Sequence, residues 1–299
     1  MVERKEVVTG LNEAAKYIKD GMTIGIGGML SSSHPMALIR QIIRNKVKKL
    51  TVVGQQLSGL DIDLLIGAGC AEKVITPYVG GERLAPIGPF FRWAAENGKI
   101  TTFECDEAIL FAGLRAAGQM LPFAPWRAGI GTDLPKVNPS LKEFKDPIKG
   151  ETLLAVPAIK LDIFLTHAAY SDRYGHVQHI GTSFFDKTLS RAADMTIVQV
   201  EKIVTNEEIR KDPSKTTIPF ADLVVHAPFG AHPFASPGFY VHDVNHLQEY
   251  VKAAEAFTKH GDRQPFDNYL AKYMFEPETH PDYLERIGIR QLYPLFESF

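Results

Sequence analysis

Cysteine is scarce in this sequence, which has only Cys70 and Cys105 among its 299 residues. Each of them lies in or beside an apolar segment, where a cysteine usually serves as a small buried hydrophobic side chain. The low count favours a cytoplasmic protein with reduced thiols, and it disfavours catalysis by a thiol.

An excess of one charge and a long apolar run are missing too. The chain has 33 lysines and arginines against 35 acidic residues, a net charge of −2. A chain with this charge balance lacks the excess of positive charge that is typical of proteins that bind DNA, RNA or an anionic membrane. No apolar run approaches the roughly 18 residues of a membrane span, and the polar start MVERKEVVTG is unlike a signal peptide. We therefore expect no nucleic-acid partner and no membrane association.

The glycine-rich stretch GIGGMLSSSHP, residues 25–35, lacks the parts of both common phosphate loops. A dinucleotide fingerprint needs a third glycine where Leu30 stands, and an acidic residue after the next strand, where residues 54–56 read Gly-Gln-Gln. A Walker loop needs a lysine, and none occurs between Gly21 and Lys46. Nucleotide phosphate is therefore a poor candidate for the ligand of this turn.

Two interpretations of the glycine turn stay open. Gly27 and Gly28 could simply make a tight turn from a strand into a helix. Alternatively, their small size lets backbone N–H groups approach a bound carbonyl, and the helix that opens near Pro35 adds positive potential. A nest of this kind could hold a thioester oxygen as it becomes an oxyanion.

Short β-rich runs alternate with helical patterns along the chain, which predicts an α/β fold with a mostly parallel sheet covered by helices on both faces. The predicted strands are residues 22–26, 50–53, 73–76, 100–103, 153–156, 162–166 and 196–200. The predicted helices are residues 11–18, 35–43, 61–67, 90–96, 106–117 and 184–193.

The alternation of strand and helix patterns is interrupted in two places. Residues 136–151 are rich in proline and lysine and poor in apolar residues, which predicts a surface excursion. From residue 245 onward the chain becomes helical and more charged. We therefore predict a main domain, residues 1–244, and a helical C-terminal arm, residues 245–299, that is not an independent domain.

Several motifs resemble those of one enzyme family. The stretch DGMTIGIGGMLSSSHPMALI, residues 20–39, is similar to the signature of the α subunits of family I coenzyme A transferases. LPFAPWRAGIGTD, residues 121–133, and HPDYLERIG, residues 280–288, agree with it. Residues 200–233, VEKIVTNEEIRKDPSKTTIPFADLVVHAPFGAHP, are particularly similar to the α subunit of glutaconate CoA-transferase.

The resemblance implies that the chain is the α subunit of a hetero-oligomeric enzyme. Such an enzyme moves CoA between an acyl-CoA thioester and a carboxylic acid through a glutamyl-CoA intermediate. The nucleophilic glutamate then belongs to a β subunit, in an α2β2 heterotetramer. Coenzyme A is a substrate, and no metal or bound cofactor is implied. The backbone amides of Gly27, Gly28 and Met29 would shape the oxyanion and acyl pocket, beside Ser31 and Ser33.

Glu107 is the internal candidate for a catalytic carboxylate. It opens a helix directly after the strand at residues 100–103, at the carboxyl edge where parallel sheets bind their ligands. The plainer interpretation is an acidic residue that opposes the helix dipole. The α subunits of steroid-ring-opening CoA hydrolases, which this chain also resembles, carry Asp-Glu here and use the glutamate. Glu96, by contrast, sits in the last turn of a helix before an Asn-Gly stop.

Arg127 precedes a second glycine turn that contains Gly129 and Gly131. Its guanidinium could bind a substrate carboxylate or a CoA phosphate, or it could form a surface ion pair. The histidines lack metal-ligand spacing, and His232 is expected to pack within a loop. Two further functions stay open: a hydrolase that opens a ring or β-dicarbonyl with Glu107 as its carboxylate, and a non-catalytic scaffold that completes the partner's site.

Overall fold

The computed structural model of the chain describes residues 5–296, which form a ten-stranded sheet and a separate three-stranded sheet with helices around them. The strands are β1 (Val8–Thr9), β2 (Thr23–Ile26), β3 (Leu50–Val53), β4 (Ala71–Ile75), β5 (Thr101–Thr102), β6 (Phe123–Trp126), β7 (Lys142–Lys145), β8 (Thr152–Pro157), β9 (Leu161–Ser171), β10 (Val177–Gln178), β11 (Ala193–Ile203), β12 (Thr216–Ile218) and β13 (Leu223–His226).

Twelve α-helices are found in the described part of the chain, together with a 3₁₀ turn at Pro213–Lys215 and a π-helical turn at Ala271–Phe275. The α-helices are α1 (Leu11–Ala15), α2 (Met36–Arg44), α3 (Leu60–Gly67), α4 (Pro89–Glu96), α5 (Glu107–Gly118), α6 (Leu134–Val137), α7 (Asp186–Ala192), α8 (Asn206–Lys211), α9 (Val244–His260), α10 (Gln264–Leu270), α11 (His280–Ile287) and α12 (Ile289–Phe296).

The large sheet confirms the predicted fold class. Its strands lie in the order β1-β13-β11-β9-β2-β3-β4-β5, and every neighbouring pair on this path is parallel. The short strand β10 pairs antiparallel with β9 and β12. Helices cover both faces, so central strands are buried on both sides: Ile24 of β2 faces one apolar cluster, while Gly25 packs against Phe164 and Leu189 on the other side.

Residues 136–151 lie mostly at the surface, as predicted, and they also contain the end of α6 and strand β7. β7 and β6 flank β8 in a small antiparallel sheet, which packs its inner face against α5. The strand predicted at residues 153–156 therefore belongs to this sheet and not to the parallel one. Edge strands often carry exposed lysines, and Lys142 and Lys145 hide the strand pattern in the sequence.

The C-terminal helices pack onto the main sheet's helical layer. Helices α9 to α12 share one apolar cluster with α2, α3 and α4. The Tyr250 hydroxyl donates to Asp63 Oδ2 at 2.6 Å, which ties α9 to α3. The arm is thus helical as predicted and is part of a common core, while a boundary between residues 244 and 245 stays a prediction.

Both cysteines are free. Cys70 is buried and Cys105 half-buried, and burial raises the pKa of each thiol to about 12. Such thiols are protonated at neutral pH, so neither is a ready nucleophile. Among residues 5–296, no helix combines the length and the apolar character that crossing a membrane requires.

Candidate functional site

The glycine turn follows the carboxyl end of β2 and leads into α2, at the edge of the parallel sheet where ligands bind. A Cβ atom at Gly27 would lie 2.3 Å from Thr166 Oγ1 and 2.8 Å from Asp186 Oδ1. Gly28 has φ +89°, and a Cβ there would lie 2.7 Å from the backbone carbon of Ser33. The predicted tight turn is confirmed, and neither position has room for a larger residue.

The three backbone amides of the expected oxyanion pocket differ in their partners. The Gly27 amide donates to the carbonyl of Leu165 at 2.8 Å, and the Met29 amide donates to the carbonyl of Ser32 at 2.9 Å. The Gly28 amide is buried and donates to no acceptor in the described part of the chain. Of the three amides, only that of Gly28 has no acceptor among the described residues, and the role of all three at an oxyanion stays a prediction.

The segment after the glycines is held in an unusual conformation. Leu30 and Ser33 have φ +52° and +62°, values that non-glycine residues rarely adopt. The Ser33 amide donates to the carbonyl of Ala235, whose own amide donates to the carbonyl of Ser31, both at 2.8 Å. Ser33 is buried and Ser31 half-buried. Left-handed non-glycine residues cluster at ligand sites, because the surrounding structure must hold them in place.

A buried His–Asp pair holds this loop. His34 Nε2 is 3.0 Å from the carbonyl oxygen of Leu30, and His34 Nδ1 is 2.9 Å from Asp61 Oδ2. Both side chains are 1% exposed. The Asp61 contact is close enough for an ion pair but is not aligned as a hydrogen bond, and neither Asp61 oxygen has another partner among the described residues. A carbonyl can only accept, so His34 Nε2 is the donor in its hydrogen bond to Leu30.

A second buried network lies directly beneath Gly27. The Asp186 carboxylate accepts hydrogen bonds from Gln55 Nε2, from Thr166 Oγ1 at 2.5 Å and from His179 Nε2 at 3.1 Å. Asp186 is 1% exposed. The partners come from separate elements, so their approach is not visible in the sequence. One signal is present there: Gln55 follows β3, the strand beside β2, at the same edge of the sheet.

A third network contains serine, histidine and glutamate without forming a catalytic triad. His167 Nε2 lies 3.0 Å from Ser236 Oγ and 2.9 Å from Glu201 Oε1, so both contacts use one ring nitrogen. In a catalytic triad, the nucleophile and the orienting carboxylate contact opposite nitrogens of the histidine. Burial acts to raise the pKa of Glu201, but the hydrogen bond and charge of His167 lower it overall. The buried cluster supports the loop that follows β13.

Glu107 is the first residue of α5 and is exposed. Asp106 caps the helix by accepting from the Ile109 amide at 2.7 Å. One turn further, the ring of Phe111 lies 4.8 Å from that of Phe185, whose amide donates to Gln55 Oε1 at 2.7 Å. Residues four apart share a helix face, so Glu107 lies on the side of α5 that faces this edge of the sheet. Its predicted place at the start of a helix is confirmed, while its role stays a prediction.

The second glycine turn packs against the first turn of α5, while the Arg127 side chain pairs elsewhere. A Cβ at Gly129, which has φ +94°, would lie 3.7 Å from Ile109 Cδ1 in the first turn of α5. Gly131 has φ +79° and open space around it. The Arg127 side chain is 77% exposed and pairs with Glu151. The surface ion pair considered for Arg127 is therefore present, and a role in substrate binding stays a prediction.

Glu96 lies at the surface and His232 lies in the interior. Glu96 is exposed and ends α4, which runs from the carboxyl end of β4 back toward the opposite edge of the sheet. His232 is buried, with Nδ1 2.7 Å from the hydroxyl of Tyr283 and Nε2 3.1 Å from Asp243 Oδ2. Burial lowers the pKa of His232, so it packs as a neutral ring within its loop. Within residues 5–296, no three His, Cys, Asp or Glu side chains are grouped as metal ligands.

Comparison with known proteins identifies a family for this chain. Residues 8–225 match the family model described as coenzyme A transferase. The chain is 31% identical over 307 residues to the α subunit of glutaconate CoA-transferase of Acidaminococcus fermentans, with 96% of this chain and 93% of that protein covered. It is 33% identical over 290 residues to the cholesterol ring-cleaving hydrolase IpdA subunit of Rhodococcus jostii, with 92% and 94% covered.

One further relative differs in length. An uncharacterized protein of Archaeoglobus fulgidus is 36% identical over 277 residues; the match covers 92% of this chain and 60% of that protein. Among solved structures, the crystal structure of the A. fermentans glutaconate CoA-transferase superposes with a TM-score of 0.88 at 31% identity, covering 96% of this chain and 95% of that one. This chain belongs to the coenzyme A transferase family and is of the α type within it.

Proposed function

We propose that this chain is the α subunit of a two-subunit CoA-transferase that moves CoA between an acyl-CoA and a carboxylic acid. The observation that carries the proposal is the buried Gly28 amide, which lies free at the carboxyl edge of the sheet. The start of α2 follows the same turn and adds positive potential. A site built this way suits an oxygen that gains negative charge during acyl transfer.

In the proposed reaction, a glutamate of the partner β subunit acts as the nucleophile and attacks the thioester carbonyl carbon. The carbonyl oxygen takes up the electron pair and accepts a hydrogen bond from the Gly28 amide. Collapse of this adduct expels CoA thiolate and leaves an acyl-glutamyl anhydride. The thiolate then attacks the glutamyl carbonyl, which releases the acid and leaves glutamyl-CoA. An incoming carboxylate reverses these steps and leaves as the new acyl-CoA.

The partner follows from the relatives, whose names describe each of them as one subunit of an enzyme. We propose an α2β2 heterotetramer in which neither chain exchanges CoA alone. Exchange by the isolated chain would contradict this assignment. A scaffold that only completes the partner's site stays a third possibility, and it requires that no side chain of this chain change the rate of the chemical step.

A second candidate function is hydrolysis of a cyclic or β-dicarbonyl acyl-CoA, favoured by one observation. Glu107 is exposed at the start of α5, at the carboxyl edge of the sheet, so a substrate can reach its carboxylate. Under this alternative Glu107 activates the attacking water or attacks as a nucleophile.

Glu107→Gln in the reconstituted complex separates the two reactions. If the complex is a transferase, we expect CoA exchange to stay within about threefold of the parent rate. If it is a hydrolase, hydrolysis should fall by roughly 10²–10⁴-fold, the usual contribution of a general acid or base. Glu96→Gln is the matched control, since Glu96 is also exposed but ends α4 away from this edge. Loss of exchange in the Glu107 variant alone would contradict the transferase mechanism proposed above.

A further inference from the structure

The Gly28 amide belongs to a short loop whose shape depends on Leu30. Met29 and Ser32 close this loop, because the amide of each donates to the carbonyl of the other, at 2.9 and 3.0 Å. Leu30 has φ +52°, a left-handed conformation that is unfavourable for a leucine and persists only when surrounding contacts hold it. Leu30 is two residues from Gly28, so a change in the Leu30 backbone shifts the segment that carries the Gly28 amide.

Two hydrogen bonds hold Leu30 in this conformation. Its amide donates to the carbonyl of Leu57 at 2.9 Å, and its carbonyl accepts from His34 Nε2 at 3.0 Å. Within residues 5–296, the Leu30 carbonyl has no second donor. In this part of the chain, His34 is therefore the side chain that fixes the carbonyl side of the strained residue.

The His34 ring is itself held from several sides. Its Nδ1 lies 2.9 Å from Asp61 Oδ2, and both side chains are 1% exposed. The ring of Phe234 packs against it, with 4.2 Å between the ring centres. A Cβ at Gly59 would lie 2.7 Å from His34 Cε1 and 2.6 Å from the Leu30 carbonyl oxygen, so this glycine leaves the space that the contact needs. The ring thus has one orientation relative to the Leu30 carbonyl.

Stability alone is a poor explanation for the buried pair of His34 and Asp61. Two polar groups lose their hydration on burial, and apolar residues of similar volume are often as stable or more stable in such a place. Both Asp61 oxygens lack a hydrogen bond in the described part of the chain, and the ion-pair contact of Asp61 there is with His34. The pair is better explained by the loop that it holds.

We propose that His34 is a positioning residue for CoA exchange: its Nε2 holds the Leu30 carbonyl, and this keeps the Gly28 amide directed at the thioester oxygen. Asp61 keeps the ring in place from the opposite nitrogen. The proposal rests on the transferase function proposed above, because it concerns the amide assigned there to the oxyanion. His34 acts through the backbone and touches no reacting atom. A displaced amide matters most where the oxygen is most negative, so loss of His34 lowers kcat and leaves KM nearly unchanged.

Two substitutions of His34 separate positioning from packing. The side-chain nitrogen of glutamine can take the place of Nε2, and that of asparagine the place of Nδ1. In the complex with the β subunit, we expect His34→Gln to stay within about threefold of the parent kcat, because the donor to Leu30 is kept. His34→Asn should lose about 10-fold to 10²-fold in kcat, as expected for a misplaced group, with the KM for acyl-CoA within about twofold.

Hydrogen–deuterium exchange of the full chain measures the loop without any turnover. The amides of Met29, Leu30 and Ser32 all donate to backbone carbonyls, so they exchange slowly while the loop is held. We expect the peptide that contains residues 27–33 to take up deuterium faster in His34→Asn and at the parent rate in His34→Gln.

Asp61→Leu tests the pair without removing the imidazole. A buried apolar residue of similar volume should leave the chain folded. We expect kcat to fall by about tenfold with KM unchanged, because the ring is no longer held at Nδ1. The parent kcat in this variant would show that Asp61 does not fix the ring.

His246→Asn is the matched control. His246 is also 1% exposed, and its Nε2 lies 2.9 Å from the hydroxyl of Tyr269 among the C-terminal helices. The variant should unfold at a lower temperature but keep the parent kcat and the parent deuterium uptake of residues 27–33.

Equal losses of kcat in His34→Gln and His34→Asn would show that the imidazole only packs, and would overturn the proposal. Unchanged deuterium uptake in His34→Asn would overturn it as well. If His34→Asn loosens the loop and the parent complex exchanges no CoA, the transferase function is rejected while the hold of His34 on the loop stands.

Discussion

One buried carboxyl, that of Asp63, links helix α3 to the C-terminal helix α9. Asp63 lies in α3 and accepts from the Tyr250 hydroxyl of α9 and from the Phe91 amide at 2.6 Å each. Burial raises the pKa of Asp63 to about 6 from 3.8, and these hydrogen bonds only partly offset the burial. The carboxyl that ties the C-terminal helices to α3 therefore changes its charge near pH 6 in the folded chain.

The sign of this dependence follows from the raised pKa. Between pH 4 and pH 6 the folded chain binds more protons at Asp63 than the unfolded chain, so the stability that this group contributes falls as pH rises. The change approaches about 3 kcal/mol at about 1.36 kcal/mol per pKa unit. Asp63→Asn imitates the protonated acid, and urea unfolding should give it a growing advantage over the parent from pH 5 to pH 7. An advantage that does not change with pH would contradict this pKa.

At the scale of the elements, the turn between β2 and α2 depends on close backbone approach. Gly28→Ala would place a Cβ 2.7 Å from the backbone of Ser33 at φ +89°. We expect a loss of roughly 2 kcal/mol or more in the free energy of unfolding, and CoA exchange should fall by about 10²-fold because the amide shifts.

Gly131→Ala is the matched control for that substitution. Gly131 also has positive φ, +79°, but a Cβ there meets open space. The free energy of unfolding of Gly131→Ala should fall by only about 1 kcal/mol, the cost of a positive φ for alanine. Thermal unfolding of both variants measures the difference, and equal losses would show that close approach at Gly28 costs nothing.

Local patterns predict the elements with strong periodicity and miss those that depend on distant partners. The apolar runs of β2, β3 and β9 and the spacing of α2 and α5 identify the parallel sheet. Strand β7 escapes prediction because lysines break its apolar pattern. The Asp186 network is not predicted, because its partners are distant in the sequence. Gln55 is 131 residues from Asp186, and Thr166 is 20 residues from it. No local rule encodes such distances.

For the whole molecule, the C-terminal helices close over the layer that carries the glycine turn. Arg40 of α2 donates to the His232 carbonyl at 2.9 Å and lies 3.7 Å from the ring centre of Tyr283 in α11. The family match spans residues 8–225, so the arm lies beyond it. These contacts join the C-terminal helices to the helix that follows the glycine turn, and the proposed function assigns the nucleophile to the partner.

The most direct test of that assignment is to find which chain carries the covalent intermediate. The reconstituted complex is incubated with an acyl-CoA and reduced with sodium borohydride, which converts a glutamyl-CoA thioester into the corresponding alcohol. Mass spectrometry of peptides from both chains then locates the reduced glutamate. We expect it in the partner, with the Glu107 peptide of this chain unmodified. Reduction at Glu107, or no reduced glutamate in either chain, would contradict the proposed division of labour.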